Sequence, residues 1–164
     1  MKYLKDIHTL EELKKKYRKW AVKLHPDVGG SEAEMKILNA EYEALFAKVK
    51  DIHVNRDGEE YRKETNEAPQ DFIRIINELL KLVGIHIEVI GCFIWVTGQT
   101  KPYKETLKNL GMKWHNSKKC WFLPPDGYRR FGEREYSMEE IRDMYGVQYD
   151  KETQEMHYKE LQMA

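Results

Sequence analysis

The spacing of the apolar residues changes along the chain, and this change limits the fold that the sequence can adopt. In residues 10–49 and 69–83 the apolar side chains recur every three or four positions, the period of a helix with one buried face. From Ile85 onward they alternate with other residues, the period of a β-strand. The order therefore predicts an α+β protein, with helices first and a small sheet after them.

Two amphipathic helices joined by a short loop are predicted in residues 1–50. The Thr9–Glu12 pair has the capping-box spacing that starts a helix, and Ser31–Glu34 has the same spacing. The first helix should end near His25, because a residue before proline disfavours helical backbone. The apolar positions are Leu10, Leu13, Tyr17, Trp20, Ala21 and Leu24, then Met35, Leu38, Tyr42, Leu45, Phe46 and Val49. Such helices pack into a helical hairpin.

Residues 51–68 are polar, contain Gly58 and lack a sustained apolar period, so we interpret them as a polar linker, with helix over part of it as the alternative. A third helix is predicted from Pro69, a residue type favoured in the first turn, to Gly84, which ends it. This helix is too apolar for a free surface. It should pack on another element, most simply the module that follows it.

The predicted C-terminal module spans residues 69–146 and has the element order α-β-β-α-β-β. Its six elements are the helix from Pro69, the two strands of a β-hairpin over residues 85–95 around Gly91, a helix over residues 102–110, and strands at residues 112–114 and 121–123. A further helix from Ser137 to Gly146 follows them. Ser137 and Glu140 form a third capping box. Residues 147–164 are an acidic tail, which we expect to fray.

Charge and composition exclude several classes of protein. The 164 residues contain 28 Lys and Arg against 28 Asp and Glu, so the net charge of zero gives no whole-chain attraction to nucleic acid. Residues 83–131 nevertheless carry a net charge of +5, between segments of net −3 and −5. No apolar run could span a membrane, and the N-terminal segment lacks the apolar core of a secretory signal. We therefore expect a cytoplasmic protein with reduced cysteines and no membrane partner.

The loop between the first two helices contains His25-Pro26-Asp27, directly after a lysine-rich helix. Asp27 follows a rigid proline, so its carboxylate has a defined direction and can accept charge-assisted hydrogen bonds from a partner's arginine. The basic side chains of the helix can steer an acidic partner toward the loop. These basic residues are Lys14, Arg18, Lys19 and Lys23.

Residues 3–50 resemble the J-domain of the DnaJ family. The resemblance rests on His25-Pro26-Asp27 in register with both helices, and its other residues are Leu13, Tyr17, Arg18, Lys19, Ala21, Lys23, Leu24, Met35, Leu38, Asn39, Tyr42 and Leu45. It implies an N-terminal J-type helical hairpin and a partner, a DnaK-type ATPase chaperone, in which the loop aspartate triggers ATP hydrolysis. The implied partner-binding residues are His25, Pro26, Asp27, Lys14, Tyr17, Arg18, Lys19 and Lys23.

The sequence also departs from the family. Only residues 1–8 precede the first cap, so the family's usual first short helix is either truncated or replaced by Tyr3, Leu4 and Ile7. The loop VGGS is short, and the family's basic final helix is missing. No Gly/Phe-rich stretch and no CxxCxGxG zinc repeats follow, so a general substrate-holding chaperone is not predicted. A J-like hairpin that serves only as a scaffold is the alternative.

Aromatic residues and lysines are interleaved in residues 92–125. The stretch resembles a small module that often follows J-domains in bacterial and phage-type proteins, and loosely the HARP repeat of DNA-handling proteins. Aromatic rings can stack on bases while lysines neutralise phosphates, but in a small module they can also form the core, as we expect for Trp95 and Trp121. The module would contact nucleic acid or a client protein through Tyr103, Lys104, Lys108, Lys118 and Lys119. Of its aromatic rings, Tyr103 should be the most exposed, because it lies at a helix start and not on a strand.

No other motif indicates chemistry. The chain has no phosphate-binding glycine loop and no G-x-S-x-G, and its histidines show no metal-ligand spacing with Cys92 or Cys120. We therefore predict no enzyme, no catalytic residue, no cofactor and no metal. The leading hypothesis is a co-chaperone that stimulates a DnaK-type ATPase at a client protein. The alternative is a nucleic-acid-binding accessory protein.

Overall fold

A computed structural model describes residues 1–55, 57–125 and 135–144. The protein is a mixed α+β protein in which N-terminal helices are followed by antiparallel sheets, as the change of apolar period predicts. Three helices, α1 (Leu10–Leu24), α2 (Glu32–Val49) and α3 (Pro69–Leu80), pack against one another. The predicted helix end at Gly146 and the predicted acidic tail lie outside the described residues.

The first turns of α1 and α2 are held in different ways. The Thr9 hydroxyl accepts a hydrogen bond from the Glu12 N–H at 3.3 Å, and the Glu12 carboxylate accepts one from the Thr9 N–H at 3.4 Å, which confirms the first capping box. Ser31 makes no side-chain cap hydrogen bond, so the box predicted there is wrong. The Glu34 carboxylate instead accepts from the Tyr3 hydroxyl at 3.0 Å and ties the N-terminal segment to α2.

Three aromatic rings pack where α1, α2 and α3 meet. Tyr17 lies against Tyr42 with ring centroids 4.8 Å apart, and Phe72 stacks on Tyr42 at 5.5 Å. The Tyr17 hydroxyl donates to Asn39 Oδ1 at 2.7 Å and accepts from Asn77 Nδ2 at 3.1 Å. Burial raises the pKa of Tyr17, and its hydroxyl is hydrogen-bonded to one side chain of α2 and one of α3. The third helix therefore packs on the first two, and not only on the module that follows.

Residues 51–68, interpreted from the sequence as a linker, contain a β-hairpin. Strand β1 (Ile52–Val54) pairs with β2 (Glu60–Arg62) in antiparallel register. Asp51 closes the open end, because its carboxylate accepts from the Thr65 N–H at 2.9 Å and its carbonyl accepts from the Lys63 N–H at 3.0 Å. Strands of three residues are too short to show an alternating period, so the apolar pattern predicts no strand here.

The larger sheet has four strands in the order β3-β4-β6-β5, and all neighbours are antiparallel. The strands are β3 (Ile85–Ile90), β4 (Phe93–Gly98), β5 (Lys113–His115) and β6 (Cys120–Leu123), and α4 (Lys104–Asn109) connects β4 to β5. Gly91 has a φ of 60° in the turn between β3 and β4, a backbone conformation that favours glycine. The predicted hairpin and the two later strands are confirmed.

Both faces of this sheet are covered. Trp121 is 5% exposed and belongs to the core that the sheet shares with α1, α2 and α3. Trp95 is 6% exposed and lies in a smaller cluster on the opposite face, against which Ile141 of α5 (Met138–Met144) packs. The interpretation of these two tryptophans as core residues is therefore confirmed.

Helix α5 begins with a capping box, and an ion pair joins it to the sheet. The Ser137 hydroxyl accepts from the Glu140 N–H at 3.1 Å, and the Glu140 carboxylate accepts from the Ser137 N–H at 2.9 Å, which confirms this capping box. The Arg142 guanidinium donates to both carboxylate oxygens of Glu88 in β3, each at 2.7 Å. Such a bidentate pair is stronger than a single charged hydrogen bond.

One hydrophobic core runs through both parts that the sequence separated. Its buried apolar residues extend from Tyr3 and Leu4 through the three helices to Trp121 in β6. Helix α1 also contacts strand β3 directly. The boundaries drawn at residues 50 and 69 therefore do not divide the core, and the N-terminal helices and the sheet pack as one body.

Glu41 in α2 holds the segment that precedes α1. Its carboxylate accepts the backbone N–H groups of Lys2, Tyr3 and Leu4, the last two at 2.9 Å. Burial alone would raise the pKa of Glu41, but the three N–H groups stabilise the anion and the pKa lies below its ordinary value of 4.5. Because the folded pKa is the lower one, this stabilisation is present above the unfolded pKa and is lost as the pH falls through the folded value.

We expect Glu41→Gln to lower the free energy of unfolding near neutral pH by about 1.5–3 kcal/mol, the range for hydrogen bonds to a charged group. The variant should also lose part of the parent's decrease in stability below the ordinary pKa of 4.5. Urea denaturation across this pH range measures both effects. Glu43→Gln, exposed on the same helix, is the matched control. An equal loss of stability in both variants would contradict the role given to Glu41.

Candidate functional site

The loop between α1 and α2 presents two of its three His-Pro-Asp residues to solvent. Pro26–Val28 form one turn of 3-10 helix that starts at the buried His25. Pro26 and Asp27 are exposed, and 53% of the Asp27 side chain is accessible. The tripeptide therefore consists of a buried residue that holds the loop and an exposed carboxylate that a partner can reach.

His25 organises the loop through both its ring and its backbone. Its Nδ1 accepts a hydrogen bond from the Asp27 N–H at 3.2 Å, and its carbonyl accepts from the N–H groups of Val28 and Gly30, each at 3.0 Å. Burial lowers the pKa of His25, although the Asp27 carboxylate, 3.7 Å from Nδ1, opposes this. The neutral ring is the form whose Nδ1 can accept the hydrogen bond, so the ring fixes the direction of the Asp27 backbone.

The two glycines after Asp27 are needed for different reasons. Gly29 has a φ of +88°, in the left-handed region, but a Cβ there would meet no atom within 4 Å. Gly30 passes so close to the end of α1 that an ideal Cβ would lie 2.0 Å from the Leu24 carbonyl oxygen. The short loop thus depends on a close backbone approach at Gly30 and on a backbone conformation at Gly29.

The basic residues of α1 lie on two sides of the helix. Lys19 and Lys23 are exposed, as the docking hypothesis requires. Lys14 and Arg18 are only 2% and 8% exposed, so their prediction as part of an exposed basic surface is wrong. Tyr17, also predicted to bind the partner, is fully buried in the aromatic cluster.

Elements that follow α2 in the chain cover the inner side of α1. The Lys14 ammonium lies 2.8 Å from the Glu67 carboxylate and 5.1 Å from the centroid of the Phe72 ring. The Arg18 guanidinium donates to the backbone carbonyl of Ile87 in β3. These two cations therefore hold α3 and the sheet on α1 instead of facing a partner.

Sequence reasoning missed two lysines at this site. Lys15 is exposed and lies four residues before Lys19, so Lys15, Lys19 and Lys23 form a row on one helix face, here called the exposed basic surface. The ammonium of Lys81, at the end of α3, contributes to the lowered pKa of His25, after burial. Helical spacing could have found Lys15, whereas nothing in the sequence places Lys81 beside a loop so much earlier in the chain.

The residues predicted to contact nucleic acid or a client are not one exposed group. Tyr103, predicted to be the most exposed aromatic ring, is half-buried, and its hydroxyl donates to the Val83 carbonyl at 2.9 Å. That prediction is wrong, because the ring packs against the core at the start of α4. Lys104, Lys108 and Lys119 are exposed, and Lys118 is half-buried with its Nζ 3.4 Å from His115 Nε2.

Trp114 is the exposed ring that the sequence did not single out for contact. It is 43% exposed on β5, at the edge of the sheet, and packs edge-to-face on Trp121 with centroids 5.7 Å apart. Lys113 and Lys119 are exposed on the same hairpin. An edge strand has no neighbour to cover its far side, which leaves the indole accessible.

Comparisons with known proteins give no match to this chain among protein-family models, curated proteins or solved structures. Over the described ranges of the chain, no helix is both long and apolar enough to cross a membrane. The candidate functional features of the chain are the loop, the exposed basic surface and the edge of the sheet.

We expect Gly30→Ala to disrupt the loop and Gly29→Ala to be tolerated better. The methyl group at residue 30 collides with the Leu24 carbonyl, so the backbone must move, at a cost of about 1–3 kcal/mol or more. At residue 29 the cost is the left-handed conformation alone, about 1–2 kcal/mol. Urea denaturation measures both stabilities, and hydrogen exchange of the Asp27 N–H reports the loop. Equal effects of the two variants on the Asp27 N–H would contradict the close approach at Gly30.

Proposed function

We propose that this chain is a J-type co-chaperone, which recruits a DnaK-type ATPase chaperone and stimulates its ATP hydrolysis through His25-Pro26-Asp27. The observation that carries this proposal is the exposed Asp27 carboxylate on a turn that the buried His25 holds in place. A carboxylate that is both accessible and already oriented can pair with a partner's arginine at a small cost in conformational entropy. The proposal places the protein in the cytoplasm with its partner.

The exposed basic surface supports the same proposal. Lys15, Lys19 and Lys23 follow one face of α1 toward the loop, and Lys23 is four residues before Asp27. A row of cations attracts an acidic surface over a distance that salt shortens. Lys14, Tyr17 and Arg18 are buried, so they stabilise the fold and do not contact the partner directly. The partner-binding surface on α1 is therefore narrower than the J-domain resemblance implies.

The sheet would then select the client protein. It is joined to the helices by a shared core, so a client bound at its edge is held at a fixed position relative to the loop. The exposed side chains at that edge are Lys113, Trp114 and Lys119. An exposed indole beside lysines suits an acidic segment that carries apolar side chains.

We expect Asp27→Asn to abolish ATPase stimulation and to leave the fold intact, because the side chain is exposed. The variant keeps the size of the side chain and removes the charge that the partner's arginine would meet. A steady-state ATPase assay of a bacterial DnaK-type chaperone, with the parent or the variant added, measures the effect. Asp57→Asn, the same change in the exposed β1–β2 turn, is the matched control. Equal stimulation by Asp27→Asn and the parent would refute the mechanism.

A charge reversal tests the docking surface in the same assay. Lys19→Glu with Lys23→Glu should reduce stimulation, and the difference from the parent should shrink as salt is added. Lys104→Glu with Lys108→Glu, both exposed on α4 and also four residues apart, makes the same two charge reversals on a different helix. A loss that is equal at both places would show that net charge alone matters, and the surface assigned to docking would be wrong.

Trp114 supports a second candidate function, contact with single-stranded nucleic acid at the edge of the sheet. The indole is the most exposed aromatic ring of the sheet, with the exposed Lys113 before it in sequence and the exposed Lys119 in the β5–β6 turn. An accessible ring that stacks on bases, with lysines that neutralise phosphates, is the usual arrangement for binding without sequence preference. The net charge of +5 in residues 83–131 favours it, and the acidic segments on both sides oppose it.

If this second function holds, Trp114→Ala should weaken binding of an oligonucleotide to the full chain by about 1–3 kcal/mol, the range for a lost base stack. Replacing Lys118 and Lys119 by Ala should reduce the slope of log affinity against log salt. Tyr61→Ala removes an equally exposed ring from β2 and is the control. Fluorescence anisotropy at low salt measures both. No binding by the parent would leave protein recognition as the role of this edge.

A further inference from the structure

A glutamate, a histidine and a cysteine from three distant parts of the chain meet beside a cavity. Glu11 lies in the first turn of α1, His53 in β1 and Cys92 in the β3–β4 turn. One ligand atom from each lies within 4.8 Å of the other two. His53 Nδ1 is 3.0 Å from Glu11 Oε1, and the Cys92 Sγ is 3.4 Å from the same oxygen. All three side chains are buried or partly buried.

The hydrogen bonds of His53 show that its Nδ1 faces the Glu11 carboxylate. Its Nε2 lies 3.2 Å from the Lys63 carbonyl and 3.4 Å from the Thr65 hydroxyl oxygen. The carbonyl can only accept, and the Thr65 hydroxyl already donates to the Lys50 carbonyl at 2.7 Å, so Nε2 carries the proton. In the neutral ring the Nδ1 lone pair then points at the Glu11 carboxylate. Two acceptors at 3.0 Å need a proton or a metal ion between them.

Two further observations concern buried groups beside the cluster. Among the described residues, no lysine or arginine lies within ion-pair distance of the Glu11 carboxylate, which is 8% exposed. An unneutralised buried carboxylate is costly. The Tyr42 hydroxyl is fully buried with no hydrogen-bond partner among the described residues, and the nearby Glu67 and Cys92 add to the raised pKa that burial gives it. The positive charge that balances this carboxylate must therefore come from a protonated His53 or from a bound cation, and the buried Tyr42 hydroxyl lies near the same cluster.

We propose that Glu11, His53 and Cys92 bind a divalent cation of the zinc class, with the remaining coordination position facing the cavity. Ligand atoms on a tetrahedral zinc, at bond lengths of about 2.0–2.3 Å, lie about 3.3–3.6 Å apart. The 3.0 and 3.4 Å separations from the Glu11 oxygen need only small shifts to reach this geometry, and the third pair, His53 and Cys92, lies within 4.8 Å. One oxygen, one imidazole nitrogen and one sulfur form a borderline-soft donor set, which suits zinc and excludes calcium and magnesium.

The surroundings provide what a zinc site needs. A metal-binding histidine usually donates its other ring N–H to a carbonyl, and the Lys63 carbonyl occupies that place. The second Glu11 oxygen accepts from the Val54 N–H at 3.1 Å, which fixes the carboxylate. A cavity of about 390 Å³ is lined by all three ligands together with Tyr61 and Lys63. Three protein ligands with a free position toward a cavity are typical of zinc sites that hold a water or a small ligand.

A cysteine nucleophile is the competing interpretation of the same side chains. Sγ donates to Glu11 and not to His53, so the histidine is not placed as the base of the thiol. Burial raises the pKa of the Cys92 thiol, the Lys14 ammonium opposes this, and the Glu11 and Glu67 carboxylates add to the rise. A nucleophilic cysteine needs the opposite environment. The Glu11 carboxylate beside Sγ therefore favours a bound cation over a free thiolate, whereas Glu67 is already paired with Lys14.

The test uses the full chain, stripped of metal with a chelator and then given Zn²⁺ or Co²⁺ alone. We expect one equivalent of Zn²⁺ to remain after dialysis and to raise the melting temperature. Co²⁺ should give a thiolate charge-transfer band, which reports a metal–sulfur bond directly. Loss of an outer partner of a metal site costs about 10–100-fold in affinity, so Cys92→Ala and His53→Gln should each lose more than about 100-fold.

The controls are Cys120→Ala, which removes the other cysteine, and His8→Gln, which removes an exposed histidine. Both should keep the cobalt band and the zinc stoichiometry. The proposal is wrong if the parent retains no zinc, if cobalt gives no thiolate band, or if Cys92→Ala binds like the parent. Should Cys92→Ala or His53→Gln fail to fold, the band in the parent and in Cys120→Ala still decides whether Cys92 is a ligand.

Discussion

The contact among Tyr17, Tyr42 and Phe72 is the interaction on which the rest of the structure depends. Each of the three helices contributes one ring, and each ring is fully or almost fully buried. Aromatic side chains bury about 150–250 Å² each, so this one cluster removes a large apolar area from water. Helix α3 ends only a few residues before β3. Fixing α3 on α1 and α2 therefore also fixes where the sheet begins.

This packing divides α1 between two tasks. On its inner side, Lys14 pairs with the Glu67 carboxylate and Arg18 donates a hydrogen bond to the Ile87 carbonyl. Its outer side keeps Lys15, Lys19 and Lys23 in solvent. The helix that carries the proposed docking surface therefore also takes part in the packing of the core. The shared core also holds the edge of the sheet, the proposed client surface, at a fixed position relative to the loop.

The proposed docking loop and the proposed metal site lie at opposite ends of α1. Glu11 is in the first turn, and the His-Pro-Asp loop follows Leu24, about 20 Å away at 1.5 Å per residue. The two proposals share no side chain, so either can fail alone. A cation at Glu11, His53 and Cys92 would connect α1, the small hairpin and the β3–β4 turn. Those three elements otherwise meet around a cavity.

By itself the sequence determined the elements whose signals are local. Capping at Thr9 and the proline after His25 set the ends of α1, and alternation around Gly91 set the β3–β4 hairpin, because neighbouring residues decide these features. The sequence also placed Asp27 in an exposed loop. Only the tertiary structure decided that Lys14 and Arg18 are buried. Helical periodicity predicts that lysine and arginine on an amphipathic helix face solvent, and it does not show that α3 and the sheet cover this side of α1. The meeting of Glu11, His53 and Cys92 was decided in the same way, since pairing of β1 with β2 and packing of the sheet on α1 bring together residues that no spacing rule connects.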